Sequence, residues 1–485
     1  MREKLYNFLY FLRDFFISKY FMAVALGLAC LITVLKAEVV GAIIFLCLIC
    51  FIWIISDDFM ATALPFLLMC EFLCKMYDSY NTFIKFWPFA FLVVGSLAFH
   101  LIFYRKKVRL TPIFWAVCAV AVAVTCGGLF TKGAWKHINA SGIYYILGLG
   151  VGMIAAYLIF NAHFSTDRGY NIKLKFAYVM MLSGVFACFM VLQHYFALIL
   201  ESGEITRVVY FQWKNNISTF LMIAMPFPFY LSIEKTKSIT FHRFWLGVLI
   251  YGCILLSPSR GGYIFGSVEF IICLVYILYA DKKNRQKNLF SIFVLAVVAG
   301  LLVFSAPDFV KSIVGSIKVS KNEARVLLYQ RAIGDFFKNP VFGVGLAYSG
   351  NDDIWNPTKF AICWINCSVF QVIGSFGIVG IIAYLYQVLV RVRCLITVRS
   401  NFNLAIFVSY IGITMMGLVN PAEFCPIPYL AIVTLMFVIT EKCNEEALRA
   451  SKRELPYNSI GLPKSPVKYF TNSLKEYFSK ERDGK

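Results

Sequence analysis

Apolar runs of about 20 residues recur from one end of the chain to the other, and they constrain the fold more than any other feature. The chain has 485 residues, of which 60% are hydrophobic and 15% are charged. Soluble domains average about 45–50% apolar and about 25% charged residues. Apolar runs of this length are typical of helices that cross a membrane, because a helix satisfies its own backbone hydrogen bonds there. The sequence therefore predicts an all-α polytopic membrane protein, and it excludes a disordered chain and an ordinary soluble enzyme.

The runs predict about 14 transmembrane helices. Their approximate bounds are 20–36, 39–56, 59–75, 86–104, 111–130, 142–163, 176–198, 217–232, 244–258, 261–280, 289–305, 364–390, 404–420 and 424–440. The span at 59–75 has the weakest signal, because it carries Glu71 and Lys75, which can pair one helical turn apart. Residues 1–19 alternate basic and apolar side chains, which predicts a cytoplasmic amphipathic helix on the membrane surface.

Lys and Arg residues concentrate in alternate connections between the predicted helices. With the amino terminus in the cytoplasm, the clusters on that side are 105–109, 168–175, 235–243, 282–287 and 391–399. Together with both chain ends they hold about two thirds of the 46 Lys and Arg residues, the bias expected of cytoplasmic loops. The sequence thus predicts two cytoplasmic termini. The net charge of +20 then reflects topology and lipid contact, so no nucleic-acid partner is predicted.

Two regions fall outside the predicted spans. Residues 441–485 form a polar, basic cytoplasmic tail, and residues 306–362 form a long outer-face loop. Loops of such length are generally functional when they are ordered. Within this loop, residues 324–338 have apolar side chains at helical spacing, which predicts a short amphipathic helix across the outer face. The transmembrane domain between the interfacial helix and the tail spans residues 20–440.

Basic and amide side chains collect on three separate outer-face segments. These are Arg207, Lys214 and Asn216 in the first, Arg260 in the second, and Arg325 and Arg331 in the third. Guanidinium groups suit phosphates because their planar fork makes bidentate, permanently charged contacts. The alternative is contact with lipid headgroups, which applies most to Lys321, Arg331 and Lys338. Arg260 is the strongest candidate, because flanking small residues bring backbones close and an unpaired charge there is costly.

Four motifs in this part of the chain resemble those of the O-antigen ligase/polymerase superfamily. They are Phe211-Gln-Trp-Lys-Asn-Asn216 followed by Pro226, Ser257-Pro-Ser-Arg-Gly-Gly262, Arg325 followed by Asn339-Pro-Val-Phe-Gly-Val-Gly345, and Gln371 followed by Gly377-Ile-Val-Gly380. They are similar to the family's N-x-N…P, S-x-S-R-G-[GA], R…NPxxGxG and Q…G-L-I-G motifs, in the same order. The family-like core covers residues 205–385.

The resemblance implies a membrane glycosyltransferase with a metal-independent active site on the outer face of the bacterial plasma membrane. Such enzymes take an oligosaccharide from an undecaprenyl-pyrophosphate carrier and need no cofactor. Polymerases transfer it to a lipid-linked acceptor, whereas ligases transfer it to a lipid A core or a protein. The resemblance makes Arg325 and Arg260 catalytic candidates that converge on the pyrophosphate. Arg207, Lys214, Asn216 and Arg331 become substrate-binding candidates.

The chain departs from the family at one position. Members usually carry His-Asn five residues before the glutamine of the last motif, whereas Asn366 stands there before Gln371. An amide cannot act as a general base, so Asn366 is predicted to orient a hydroxyl or a phosphate oxygen, or else to cap the next helix. His194, Asp352 and Asp353 are further substrate-binding candidates; the alternatives are a packed histidine and a solvated acidic pair.

Several functional interpretations remain open. The family's histidine is best tied to the ligases, so its absence favours a lipid-linked oligosaccharide polymerase for a surface polysaccharide over a ligase. An inactive member of the family is another alternative. A lipid-linked oligosaccharide flippase has a similar span count, but basic residues within several spans should line its central cavity. The predicted partners are the lipid-linked donor and acceptor and the bilayer, and the oligomeric state is left open.

Overall fold

A computed structural model describes residues 2–75, 88–104, 106–136, 140–164, 170–203, 207–234, 240–317, 323–348, 364–420, 424 and 427–450. All regular secondary structure in these residues is helical, which confirms the all-α prediction for this part of the chain. A short 3-10 turn at Lys282–Asn284 accompanies the α-helices. The helices are α1 Arg2–Ile17, α2 Lys19–Val34, α3 Glu38–Ile55, α4 Met60–Lys75, α5 Phe89–Phe103, α6 Pro112–Cys126, α7 Ala140–Leu149, α8 Val151–His163, α9 Ile172–Ser202, α10 Lys214–Ala224, α11 Pro226–Glu234, α12 Thr240–Leu256, α13 Arg260–Ala280, α14 Arg285–Ser305, α15 Pro307–Ile317, α16 Glu323–Lys338, α17 Ser368–Thr397, α18 Asn401–Gly417 and α19 Ile427–Ala450.

Each predicted span contains helix where it is described, and two spans are interrupted. The span at 142–163 breaks at Gly150 between α7 and α8, and the span at 217–232 breaks at Met225 between α10 and α11. Counting α10 and α11 as one, 6 described helices are long and apolar enough to cross a membrane, or 7 with the bent α1–α2 pair. Several of the remaining helices are apolar but shorter, at 10–17 residues. The number fourteen therefore stays a prediction, while the described helices support a multi-pass helical membrane protein.

The helix ends meet on two opposite faces of the bundle. We name one the long-loop face, because it carries α15 and α16, and the other the terminal face, because it carries α1 and the end of α19. On the long-loop face the Val208 N–H donates to the Ser312 hydroxyl at 3.1 Å, which links α15 to the chain before α10. On the terminal face the Tyr276 hydroxyl donates to the Asn401 carbonyl at 3.0 Å, which links α13 to the start of α18. These contacts hold the connections against the bundle.

The centre of the bundle is filled by α10 and α11. In the most apolar stretch of this pair, 94% of the residues are buried. The corresponding share is 11% for the segment that contains α14. Pro226 begins α11 and lacks a backbone N–H, which fits the break between the two helices. The pair packs against α4, α9, α12, α13 and α18, whereas α14 packs on α13 and α15. The long-loop end of α10 is thereby fixed in the middle of the molecule.

Three expectations about charged residues are wrong. Lys75 pairs with Glu38 at the start of α3 instead of with Glu71, which is buried with no hydrogen-bond partner in the described residues. Lys75 is the last residue of α4 and therefore lies close to the start of α3. Glu71 lies one helical turn earlier, inside the bundle. Arg243 and Arg391, counted among loop cations, lie within α12 and α17 and are 5% and 2% exposed.

Candidate active site

Three predicted cations lie at the amino-terminal ends of helices on the long-loop face. Lys214 is the first residue of α10, Arg260 is the first residue of α13, and Arg325 lies in the first turn of α16. The Lys214 ammonium lies within electrostatic range of both guanidinium groups, which repel it. Its Nζ also lies 4.0 Å from the centre of the exposed Tyr210 ring. The fold thus brings together cations from three distant segments, and we name these three residues the cation cluster.

The cation cluster is electrostatically unfavourable on its own. The amino-terminal end of a helix carries a partial positive charge, which disfavours a cation there. In the described part of the chain, no carboxylate forms an ion pair with Arg260 or Arg325. Arg260 is exposed and Arg325 is half-buried, so a ligand can reach both. An anion would be attracted both by the cations and by the partial positive charge of the helix starts.

The Ser-Pro-Ser-Arg-Gly-Gly turn brings Arg260 close to Lys214. The Ser257 hydroxyl hydrogen-bonds the Ser218 hydroxyl at 2.6 Å, and Ser218 in turn donates to the Lys214 carbonyl at 2.8 Å. Gly262 makes this contact possible, because a Cβ there would lie 2.9 Å from the Ser218 oxygen. The turn therefore packs directly on the first turn of α10.

Ser259 and Gly261 fix the start of α13. Ser259 is the N-cap, and its side-chain oxygen accepts the Gly262 N–H at 3.3 Å. Gly261 lies against the end of α18, where a Cβ would come within 2.7 Å of Val419 and 2.9 Å of Met416. The small residues on both sides of Arg260 are buried, whereas the Arg260 side chain is exposed on the long-loop face.

Tyr329 connects α16 to the segment before α17. It lies one turn after Arg325; its ring stacks on Phe370 at 4.6 Å, and its hydroxyl donates to the Asn366 carbonyl at 3.0 Å. Burial raises the pKa of the Tyr329 phenol, Cys367 raises it further, and the nearby Arg325 opposes both. The hydroxyl therefore keeps its proton for the bond to Asn366. This contact brings the backbone of Asn366 to the Arg325 side of α16.

Asn366 is held through its backbone, and its side chain does not cap α17. The N-cap of α17 is Cys367, which makes no side-chain capping bond. Gln371 accepts the Ile365 N–H at 2.7 Å and donates to Ser375 at 2.8 Å, so it fastens the segment that carries Asn366. The half-buried side-chain amide of Asn366 forms no hydrogen bond with the described residues around it. Its oxygen and its N–H groups are therefore available to a substrate.

The Asn-Pro-Val-Phe-Gly-Val-Gly loop after α16 docks into a break in α17. Gly377 breaks that helix, with φ 58° and ψ −151°, and so frees backbone groups on either side. Four backbone hydrogen bonds of 2.8–3.1 Å join the loop to these freed groups. The N–H groups of Val344 and Gly345 donate to the carbonyls of Gly374 and Ser375, and the N–H groups of Ile378 and Val379 donate to the carbonyls of Pro340 and Val341. This motif is a backbone joint that fixes the end of α16 on α17.

The same loop also packs on the residues that follow α6. The Gly128 N–H donates to the Phe342 carbonyl at 3.1 Å, and the Asn339 amide donates to Leu129 and Thr131 at 2.7 and 2.9 Å. A glycine pair at the end of an apolar run was the sequence signal for this contact, and it was missed. The role of Tyr329 was also missed, because a tyrosine in an amphipathic helix is usually interpreted as a residue that only packs against its neighbours.

Two predicted substrate-binding residues lie in packed surroundings beside the cation cluster. The Asn216 amide donates to the Cys74 carbonyl at 3.3 Å, which links α10 to α4. The His194 ring lies 5.1 Å from Phe211 and 6.2 Å from Trp213, and its Nε2 is buried without a hydrogen-bond partner in the described residues.

The remaining candidates occupy other places. Arg207 is exposed just before α10. Arg331 is half-buried six residues after Arg325, a spacing that turns it to another side of α16. Asp352 and Asp353 lie outside the described residues.

The described fold is that of a multi-pass helical membrane protein with a cluster of three cations at one end of its bundle. Residues 245–385 match the family model described as O-antigen ligase. The matched segment includes Arg260, Arg325 and Asn366, and it supports the resemblance to the O-antigen ligase/polymerase superfamily that the motifs predict. The match supports an O-antigen ligase-type, glycosyl-transferring function in surface polysaccharide assembly at the bacterial inner membrane. A comparison with curated protein sequences finds no match.

Proposed function

We propose that this protein is a lipid-linked oligosaccharide polymerase. It transfers an oligosaccharide from an undecaprenyl-pyrophosphate carrier to a second lipid-linked repeat unit. The observation that carries the proposal is the convergence of Lys214, Arg260 and Arg325 at three helix starts. A ligase that delivers the same glycan to another acceptor is the nearest alternative, because it needs the same leaving group.

The cation cluster suits the chemistry of a pyrophosphate leaving group. Transfer breaks the bond between the anomeric carbon and the pyrophosphate oxygen, and it forms a bond from that carbon to an acceptor hydroxyl oxygen. The electron pair stays on the pyrophosphate, whose negative charge grows in the transition state. Preorganised cations that meet this charge lower the barrier. In the proposal, the two guanidinium forks and the Lys214 ammonium take the place of a metal ion.

The acceptor hydroxyl needs a partner that orients it and a base that removes its proton. Asn366 suits the first task, because its amide is free of hydrogen bonds to described residues and can accept from a hydroxyl. Asn366 has no useful basicity, so the proton goes to an acidic residue nearby. Asp352 and Asp353 are the sequence candidates for that base. Arg207 and Arg331 remain candidates for contacts with the glycan or the carrier.

The packing of the bundle disfavours a flippase. A flippase should enclose a central cavity lined by basic residues from several spans. Here nearly all residues in the apolar stretch of the central pair α10–α11 are buried, and the cation cluster lies at the helix ends. The buried Arg243 donates to the Leu231 carbonyl and the Tyr178 hydroxyl at 2.8 and 2.6 Å, so it is already engaged.

In the proposed orientation, the long-loop face is outside the cell and both termini are in the cytoplasm. The bias of Lys and Arg residues toward the terminal-face loops supports this orientation. Single cysteines introduced near Asp353 and near Lys464 test it with a membrane-impermeant thiol reagent. Only the first should be labelled in intact cells, and labelling of the second would contradict the orientation.

A transfer assay with purified protein in liposomes tests the proposed chemistry. The substrate is the lipid-linked repeat unit from the producing strain, and the products are a longer glycan and the free lipid pyrophosphate. Arg260→Ala should stop formation of both products, and Arg260→Lys should restore little, because a point charge cannot reproduce the bidentate fork. Lys132→Ala removes an exposed cation of the same face and is the matched control. Full transfer by Arg260→Ala at a normal protein level would refute the proposal.

A further inference from the structure

A group of aromatic rings lies next to Asn366 on the long-loop face. Trp364, two residues before Asn366, packs edge-on against Tyr145 of α7 at 4.8 Å. It also lies 6.5 Å from Phe424, which in turn lies 5.4 Å from Tyr384 of α17. Two rings, Tyr145 and Phe424, thus contact the indole of Trp364, and Tyr384 packs behind Phe424.

Phe424 differs in exposure from the other three rings of this group, which are all half-buried. Phe424 is 2% exposed and forms the buried floor, whereas Trp364 and Tyr145 are only half-buried. The indole N–H of Trp364 makes no hydrogen bond with the described residues, so it remains available as a donor. A fixed aromatic face with a free donor at its edge matches a sugar ring, which has apolar C–H faces and hydroxyls around its rim.

Trp364 and Asn366 belong to one rigid segment. The Ile365 N–H between them donates to Gln371 at 2.7 Å, and the Asn366 carbonyl accepts from Tyr329 at 3.0 Å. Two residues of extended chain span at most about 7 Å. A single sugar residue can therefore rest against Trp364 while one of its hydroxyls reaches the Asn366 amide.

We infer that Trp364 and Tyr145 form a platform for a sugar ring of the acceptor glycan. This inference rests on the proposed function, because it assigns the acceptor side of the same transfer. The chemistry of the two subsites differs: the cation cluster would attract an anion, whereas the platform offers aromatic faces and the neutral indole N–H of Trp364. The platform would hold the acceptor ring so that the hydroxyl beside Asn366 is the one that reacts.

Binding of the free glycan to purified, full-length protein tests the platform. The probe is the repeat-unit glycan after mild acid has released it from its lipid pyrophosphate, and calorimetry measures its affinity. Trp364→Leu keeps an apolar side chain but removes the ring, and it should weaken binding by about tenfold, the upper end for one aromatic contact. Trp364→Phe keeps a ring and should retain most of the affinity. Trp135→Leu is the matched control, because Trp135 is 48% exposed after α6 and lies outside the aromatic group.

Inorganic pyrophosphate as a second probe separates this inference from the proposed function. Trp364→Leu should still bind pyrophosphate, and Arg325→Ala should still bind the glycan. Equal glycan affinity in wild type and in Trp364→Leu would overturn the platform, as would wild-type protein that does not bind the glycan. Loss of glycan binding in Trp364→Leu would support the platform. If the wild-type protein at the same time did not bind pyrophosphate, the proposed pyrophosphate site would be contradicted.

Discussion

Cations on the two faces of the molecule have different surroundings. Several cations on the terminal face hold protein partners: Arg13 donates to the Ile55 carbonyl at 2.8 Å, Lys106 lies 3.3 Å from the Asp57 carboxylate, and Arg109 lies 2.9 Å from the Glu445 carboxylate. On the long-loop face, Arg260 and Arg325 have no ion pair with a described carboxylate and lie near a third cation.

The difference separates cations that stabilise the fold from the cations that we propose to bind a ligand. A buried or half-buried charge with a partner links two segments, and its removal leaves the partner unsatisfied. A cation at a helix start loses roughly 0.3–1 kcal/mol to the helix dipole. The cation cluster is therefore expected to weaken the folded protein slightly, and the anion that we propose to bind there would offset this cost. Opposite effects of mutations on stability and on activity should distinguish the two faces.

Arg325→Ala should give the largest effect. In the proposed reaction it removes charge stabilisation from the leaving group, so the transfer rate should fall by about 100-fold or more. The thermal midpoint of the purified protein should stay the same or rise, because repulsion of Lys214 is relieved. Transfer assays and thermal unfolding of the same sample measure both quantities. A lower midpoint with a parallel loss of activity would mean that Arg325 supports the fold instead.

Asn366→Ser and Asn366→Asp should come next. Serine is too short to reach the acceptor hydroxyl, and aspartate would repel the pyrophosphate, so both variants should lose most of their turnover. Protein level should not change, because the structure holds this segment through the backbone contacts of Ile365 and Asn366. Initial transfer rates at saturating substrate provide the measurement. Wild-type rates in both variants would leave Asn366 without a role in the reaction.

Gly343→Ala should disrupt the joint between α16 and α17. Gly343 has φ +65°, and a Cβ there would come within 2.5 Å of the Phe376 backbone nitrogen. Since backbone atoms cannot move aside cheaply, the variant should lose about 1–3 kcal/mol of stability, and its activity should fall as α16 shifts. Gly334→Ala is the matched control in α16, because nothing lies within 4 Å of its Cβ position. That control should be neutral or stabilising by up to about 1 kcal/mol; equal behaviour of the two variants would contradict the joint.

The sequence predicted the helices well because each apolar run carries its own signal. The amphipathic helix expected over 324–338 matches α16 at Glu323–Lys338. The breaks at Gly150 and Met225 and the pairing of Lys75 with Glu38 were not predicted. These features depend on which neighbours surround a residue, and one sequence does not specify its neighbours.

The same distinction applies to the candidate site: some of its residues could be predicted from the sequence, and others depend on their neighbours in the fold. Motif resemblance singled out Arg260 and Arg325, since single residues at fixed spacings carry that information. It did not separate residues that could meet a substrate from residues that hold the backbone. Gly343 and Gln371 belong to the latter group, because each closes a hydrogen-bonded or tightly packed joint.

Arg243→Met tests the terminal-face half of the comparison. Arg243 is 5% exposed and donates to the Leu231 carbonyl and to the Tyr178 hydroxyl. Methionine fills similar space but leaves both acceptors without their donor, which should lower the free energy of unfolding by about 1–3 kcal/mol. Turnover per folded molecule should not change. A large loss of turnover with unchanged stability would place a functional cation on the terminal face and break the comparison.

Lys311→Ala should give the smallest effect, and it separates position on a face from membership of the cation cluster. Lys311 lies in α15 on the long-loop face, is 77% exposed at its side chain, and pairs with Asp308 at 3.2 Å one turn away. Such exposed pairs contribute little, because water and salt screen both charges. Stability should therefore change by no more than about 0.5 kcal/mol, and transfer should stay at the wild-type rate. If Lys311→Ala reduced transfer as strongly as Arg325→Ala, the relevant property would be the total positive charge of the face, and the argument from three converging helix starts would fail.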